Sequence, residues 1–311
     1  MADSNETRVV LLGKTGVGKS SLGNTILGDS LLKTKVSPKS ETSECQAESK
    51  TVNGIPTKVI DTPGFFDTNI NEEKLKSEII NCVKQWAPGP HAFLIVLKVD
   101  RYSEQEQDII SKILKYFSEE ALKYAVVVFT YGDQLPEGMK IEDFVNQDEA
   151  LKNLVKKCGG RCHVIDNKYW NNDQHNDYRS NRFQVTQLLN TIETMKKTQG
   201  FYSNEFLKQA ETDKSGKFWH IVAGATVGAL LGAAFGLVTV LGIDAARAVG
   251  IALATGAGIG GVAGAVIGGA IRYTSETPQE AVTESAKTVC KVGTTAVEIS
   301  NLTNSTLKKK Q

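Results

Sequence analysis

The sequence predicts an α/β fold: a three-layer domain in which a mostly parallel sheet is covered by helices, followed by an α-helical, glycine-rich hydrophobic hairpin. Three observations carry this expectation. Apolar, β-branched runs at 8–12, 57–60, 91–99 and 124–129 alternate with helical spacing at 72–86 and 103–117, the order that yields parallel strands joined by crossover helices. The polar motifs fall directly after strands, where open α/β sheets bind their ligands. Near Lys217 the composition shifts to a Gly- and Ala-rich apolar run ending at Ile271, then to a Thr- and Ser-rich tail.

The first strand, RVVLL (8–12), leads into Gly13-Lys14-Thr15-Gly16-Val17-Gly18-Lys19-Ser20, and SLGNTILG follows with helical spacing. This is the G-x-x-x-x-G-K-S pattern in its strand–loop–helix context. Its glycines let backbone N–H groups turn inward around phosphates, and the helix N-terminus adds partial positive charge. Lys19 is placed to reach the β- and γ-phosphates, and Ser20 to ligate Mg²⁺.

The second strand, TKVI (57–60), ends in Asp61-Thr62-Pro63-Gly64. An aspartate there suits the Mg²⁺ shell, and the backbone N–H of Gly64 suits the γ-phosphate. Between the two motifs, 31–45 is polar, rich in Ser and Thr and without period, as expected of a loop ordered by γ-phosphate and metal. Thr42 is the preferred metal-contacting hydroxyl, with Ser40 and Ser43 as alternatives.

After the strand YAVVVF (124–129) comes Thr130-Tyr131-Gly132-Asp133. A carboxylate accepts hydrogen bonds only. Guanine offers Asp133 two adjacent donors, N1–H and the N2 amine, whereas adenine offers a lone pair at N1, so Asp133 discriminates partly by repulsion. Tyr131 is expected to lay its ring against the base.

At 311 residues the chain can bury one large core with further segments beside it. A formal charge of +1 gives no strong pull toward nucleic acid. Five scattered cysteines suit a reduced compartment better than a disulfide framework. Cys158, Cys162 and His163 lack a second ligand pair, so a buried thiol is preferred to zinc. The polar, acidic start MADSNETR is not the pattern of a signal peptide.

Taken together, GKTGVGKSSLGNTILG, the CQ at 45–46, DTPGFFDT, PGPHAFLIVL, RYSEQEQ and FTYGDQL resemble the immunity-associated nucleotide-binding GTPases, the IMAP GTPase family, relatives of septins and chloroplast import-receptor GTPases. The resemblance spans 8–197. It implies GTP/GDP binding, Mg²⁺, and homodimerisation across the nucleotide face, with hetero-pairing among related GTPases or filaments on membranes as extensions. Gly13 to Ser21 would bind phosphates, and Thr34 and Thr42 would belong to the first switch. Thr130, Tyr131 and Asp133 would lie at the base, and Asn167 would be the second base-side residue. Phe65 stands where efficient small GTPases carry a water-orienting glutamine, so slow turnover is expected, with Arg101 in RYSEQEQ as a stabilising group supplied in trans. A dimer salt bridge or a solvated loop cation is the alternative role for Arg101.

The expected organisation is a nucleotide domain at 1–198, an amphipathic connector at 199–217, a hydrophobic hairpin at 218–272 and a polar tail at 273–311. The arms Phe218–Ile243 and Ala248–Ile271 each exceed the roughly 20 apolar residues of a membrane span. Gly224, Gly228, Gly232 and Gly236 form one ridge, and Gly256, Gly260, Gly264 and Gly268 another, as in small-xxx-small helix contacts. A helical pair packed on the domain is the alternative. With both arms inserted the two ends share the cytosolic side of an intracellular membrane, and the sequons at Asn301 and Asn304 stay unmodified. The expectation is thus a slow GTPase acting as a GTP-controlled scaffold in contact with membrane lipid. A scaffold without turnover, a P-loop ATPase or small-molecule kinase, and a membrane-disrupting effector are the rivals.

Overall fold

The computed structural model describes residues 6–34, 44–65, 72–100, 104–171, 177–213 and 227–236. Six strands form one sheet in the order β2-β3-β1-β4-β5-β6. They are β1 (Thr7–Leu12), β2 (Gln46–Val52), β3 (Ile55–Asp61), β4 (Ala92–Lys98), β5 (Ala125–Thr130) and β6 (Cys162–Val164). All neighbours run parallel except β2 and β3. β1 and β5 are buried at every residue, and β4 at all but its last. Parallel strands covered on both faces must be continuously apolar, which is why the three runs stand out in the sequence.

The exception is the edge. β2 reads QAESKTV, is nowhere fully buried and turns into β3 through Asn53 and Gly54, both with positive φ (49° and 80°). That Asn-Gly pair is the two-residue hairpin signal. The alternation along β2 is too polar to stand out as a strand by composition.

The helices are α1 (Lys19–Leu27), α2 (Glu72–Trp86), α3 (Glu104–Tyr116), α4 (Glu119–Lys123), α5 (Ile141–Val145), α6 (Glu149–Lys157), α7 (Asn181–Gln199), α8 (Glu205–Thr212) and α9 (Val227–Ala234). α2 buries Leu75, Ile79, Cys82, Val83 and Trp86, one stripe at helical spacing. The region expected as a connector is packed onto the domain: Tyr202, Phe206, Leu207 and Ala210 are buried, and the Tyr202 N–H donates to the Pro90 carbonyl.

The first apolar arm departs from expectation. Instead of one helix from Phe218 to Ile243, α9 ends at Ala234, Gly236 takes φ 83°, and Gly236 bridges to Phe117. Leu230, Leu231, Ala233, Ala234 and Phe235 are buried. Phe235 stacks on Phe117 at 4.1 Å and meets Phe93 and Trp86 at 5.5 and 5.8 Å. Asn204 caps the helix by donating Nδ2 to the Ala233 carbonyl at 2.9 Å, satisfying one of the acceptors that a helix end leaves open. This part of the arm is therefore packed against the domain, as in the alternative reading of a docked helix. Its apolarity is met by the aromatic cluster of Trp86, Phe93, Phe117 and Tyr202. Among the described residues no helix is long and apolar enough to cross a membrane. The second arm, Ala248–Ile271, and the tail lie outside the described residues.

The expectation of unpaired cysteines is corrected for two of the five. Cys45 and Cys82 form a disulfide, their Cα atoms 5.5 Å apart. Residues separated by 37 positions meet because α2 packs beside the start of β2, a proximity that sequence spacing does not express. The Cys45 N–H also donates to Glu78 Oε2 on α2. Cys158 and Cys162 are buried free thiols, both pushed up to about 12 by burial, and His163 Nε2 pairs with Thr191 Oγ1 at 3.0 Å.

Candidate nucleotide-binding site

The loop from Gly13 to Gly18 joins β1 to α1, at the carboxyl edge of the sheet. Gly18 caps α1 with φ 88°, and a Cβ there would lie 3.1 Å from Asn167 Nδ2. Both facts call for glycine: L side chains avoid this backbone region, and the space is already taken. Lys19 is buried, and its Nζ donates to the Gly13 and Lys14 carbonyls, each at 3.0 Å. The ammonium therefore lies across the loop whose N–H groups would meet phosphate, and the first turn of α1 contributes its dipole. Thr15 and Gly16 form the turn before α1 and Ser21 lies in its first turn; Gly16 is exposed, with open space where a Cβ would stand.

Opposite the loop, Ser20 Oγ donates to Asp61 Oδ2 at 2.5 Å. Asp61 is fully buried, and its Oδ1 has no hydrogen-bond partner. Burial pushes the Asp61 carboxyl up, against the opposing pull of Lys19 and Ser20. A buried carboxylate oxygen left unsatisfied is costly. Beside a serine hydroxyl it supplies the hard oxygen donors that Mg²⁺ takes. The residues present fit that ion: Ser20 and Asp61 would hold it, and it would neutralise phosphate charge. Thr62 Oγ1 donates to the Leu11 carbonyl at 2.7 Å, pinning the Asp61–Gly64 turn to β1. Gly64 is buried, and so is Phe65, so the position after Gly64 brings no polar group to the site.

The base-side residues come from the ends of β5 and β6. Thr130 is fully buried, and its Oγ1 hydrogen bonds to the Val17 and Leu97 carbonyls at 2.7 and 3.1 Å. Expected at the base, it instead braces the phosphate loop from beneath. Tyr131 has φ 59° and is 41% exposed, with Lys98 Nζ 4.8 Å from its ring centroid. A non-glycine residue in this backbone region is a recurrent mark of functional loops. Asp133 is half-buried in the short 3-10 turn Gly132–Gln134; its carboxyl is pushed up by burial and by Asp166 beside it. Asn167 donates Nδ2 to the Gly18 carbonyl at 3.5 Å and accepts from Thr25 Oγ1 at 3.1 Å, which sets it against the start of α1.

A cavity of about 760 Å³ opens beside α1, lined among others by Ser21, Thr25, Thr34, Asn167, Trp170 and Arg182. The expected residues from Gly13 to Ser21, with Asp61, Gly64, Tyr131, Asp133 and Asn167, follow the carboxyl ends of β1, β3, β5 and β6, and of them Ser21 and Asn167 line the cavity, together with Thr34. Thr42, with Ser40 and Ser43, and Arg101 lie outside the described residues. Lys98, Asp166 and Trp170 were missed. Lys98 reads as the last residue of an apolar strand, and Asp166 and Trp170 flank Asn167 in a polar stretch that shows no period.

A family model described as the AIG1 family matches residues 7–220. Immune-associated nucleotide-binding protein 8 of Arabidopsis thaliana is 36% identical over 194 residues, covering 61% of this chain and 53% of that protein. GTPase IMAP family member 8 of Mus musculus is 32% identical over 209 residues, 66% of this chain and 29% of that protein. The chain thus spans about half or less of the length of these relatives. Among solved structures, Toc33 of Arabidopsis thaliana in complex with Mg²⁺ and GMPPNP aligns with a TM-score of 0.49 and 21% identity, over 63% of this chain and 87% of that one. With its phosphate loop, its Asp61 turn and more than half its length matched by that family model, the chain belongs to the AIG1 family.

Proposed function

We propose that this chain binds GTP and GDP with Mg²⁺ and hydrolyses GTP slowly as a dimer paired through its nucleotide face, serving as a nucleotide-controlled scaffold. The observation that carries the reading is the unpartnered, buried Asp61 Oδ1 beside Ser20, set across from the Lys19 loop and on the same edge as Asp133. In this arrangement Lys19 and the loop N–H groups hold the phosphates, Ser20 and Asp61 hold the cation, and Asp133 accepts from guanine. The names of the relatives, nucleotide-binding protein and GTPase, point the same way.

Phe65, buried where a water-orienting side chain would act, favours a second reading of the same site: a nucleotide-loaded scaffold without turnover. Hydrolysis then requires a group from elsewhere, and Arg101 of a paired copy is the proposed donor. Membrane association belongs to the proposal too, through the part of the expected hairpin 218–272 that follows α9, on the cytosolic face of an intracellular membrane. Nucleic acid is not a proposed partner, since the net charge is +1.

Titration of the full chain in Mg²⁺ is expected to give GTP affinity at least roughly 100-fold above ATP, since a site built to pair with guanine donors rejects a base that lacks them. Single-turnover hydrolysis should rise with protein concentration and fall at least tenfold in Arg101→Ala, a floor set well below the roughly 10³–10⁵-fold that a charge-stabilising arginine can supply. Equal ATP binding would support the ATPase reading instead. GTP binding with no turnover in either protein would support the scaffold that only stays loaded.

A further inference from the structure

We propose that Asp166 is the positioning residue for base recognition: its carboxylate fixes the backbone of Asp133 and thereby aims the Asp133 side chain. The inference rests on the guanine reading given above and names the group that makes it selective.

Asp133 lies in a three-residue turn at the end of β5, too short to hold a side chain in one direction by itself. Its neighbours do so. Asp166 Oδ2 accepts the Asp133 N–H at 3.2 Å, and the Ile165 carbonyl accepts the Gly132 N–H at 3.2 Å. The other oxygen of Asp166 accepts the N–H groups of Lys168, at 2.9 Å, and Tyr169. One carboxylate therefore joins the β5 turn to the loop after β6.

Asp166 is itself held. Asn181, at the start of α7, accepts the Asp166 N–H through Oδ1 at 3.1 Å and donates Nδ2 to the Asp166 carbonyl. The Asn181 N–H donates to the Trp170 carbonyl at 2.8 Å. The Trp170 indole packs so closely under Gly132 that a Cβ there would meet Cη2 at 2.7 Å, so the turn is supported from below as well. Both Asp166 and Asn181 are buried. Bidentate recognition of adjacent N–H donors depends on angle as well as distance, and a turn tied down at Gly132 and Asp133 has little freedom to swing.

Asp166 also places negative charge beside Asp133. Burial pushes the Asp166 carboxyl up, but donation from the Tyr169 N–H, from the Asp133 carboxyl beside it and from the Lys168 and Asp133 N–H groups outweighs it and holds Asp166 below the usual range, while burial and the Asp166 carboxyl raise Asp133. Lys168 is the cation near both, and Gln134 Nε2 donates to Asp133 Oδ2. Asp133 must be ionised to accept both guanine donors. Affinity is therefore full above its raised pKa and falls as the pH drops through it.

The test uses the full chain in Mg²⁺, titrated with GTP and with inosine triphosphate, which lacks the N2 amine. Wild type is expected to prefer GTP by roughly tenfold or more, the weight of one hydrogen bond to a charged acceptor. Asp166→Ala is expected to lose most of that preference, with GTP binding weakened more than that of inosine triphosphate, which offers Asp133 only its N1–H. Asp166→Asn keeps one acceptor oxygen for the Asp133 N–H but turns its NH2 toward the Lys168 and Tyr169 N–H groups, so it is expected to keep more of the preference than Asp166→Ala and less than wild type. In addition, the acid loss of its GTP affinity should move to lower pH, because the neighbouring charge is gone. Equal weakening of both nucleotides in Asp166→Ala, or an unchanged ratio, would overturn the proposal, as would an unmoved pH profile in Asp166→Asn. If Asp166→Ala does not fold, Asp166→Ser, too short to reach the Asp133 N–H, replaces it in the same comparison of GTP with inosine triphosphate, with the same outcomes. A wild type with no preference for GTP over inosine triphosphate would instead overturn the guanine reading itself.

Discussion

Lys19→Ala is expected to weaken GTP binding by roughly 100-fold while the chain still folds. Lys19 is buried and donates to two loop carbonyls. Each charge-assisted hydrogen bond is worth about 1.5–3 kcal/mol, and about 1.4 kcal/mol corresponds to tenfold in affinity. Losing the ammonium removes its contacts to the phosphates and leaves Asp61 without the cation that partly offsets its burial. The loop itself is also held by Thr130 on the Val17 carbonyl and by the αL cap at Gly18, so the fold tolerates the change. A fluorescent-nucleotide titration beside a thermal melt checks both parts. Weak binding with a melt that stays cooperative, at a somewhat lower temperature for the lost ammonium, is the expected pair of results, and near-normal affinity would show that phosphate does not sit in this loop.

Phe235→Ala is expected to destabilise the domain by about 3–5 kcal/mol, the range for removing a buried aromatic ring. Phe235 is fully buried, stacked on Phe117 and in contact with Trp86 and Phe93. It lies in a segment whose sequence reads as a membrane arm, which makes the consequence specific. Were the arm in lipid, truncating one ring would leave the stability of the nucleotide domain untouched. Denaturant unfolding of the full chain in detergent measures the difference. A loss of several kcal/mol places α9 on the domain, and a change below about 0.5 kcal/mol would remove it from there.

The elements legible in the sequence were those whose burial is complete. β1, β4 and β5 are covered on both faces, so each is a continuous apolar run, and α2 shows its stripe over the full span Glu72–Trp86. The phosphate loop was legible because its chemistry requires glycine, lysine and serine at fixed spacing. β2, β6 and the short helices α4 and α5 were not, since an exposed polar edge strand, a three-residue strand and five-residue helices cannot show a period. The base-side support was illegible for a different reason. Asp166, Asn181 and Trp170 act through backbone groups brought together by tertiary packing, and the base-side expectation for Thr130 follows from the resemblance, which does not say that its hydroxyl binds the Val17 and Leu97 carbonyls. The disulfide and the docked α9 fail in the same way: each depends on what α2 packs against. An apolar, glycine-ridged helix has the same composition in lipid or against an aromatic cluster.

The central claim is that the carboxylate of Asp133 selects guanine at a phosphate site of the AIG1 family type. It is tested most directly by titrating wild type and Asp133→Asn with GTP, XTP and ATP in Mg²⁺. An asparagine amide donates to the extra carbonyl of xanthine, so the variant should exchange a preference for GTP for one for XTP, while wild type binds GTP and rejects ATP. Equal binding of ATP by wild type, or a variant whose preference is unchanged, would contradict the account and leave the Tyr131–Asp133 segment as a turn that reads no base.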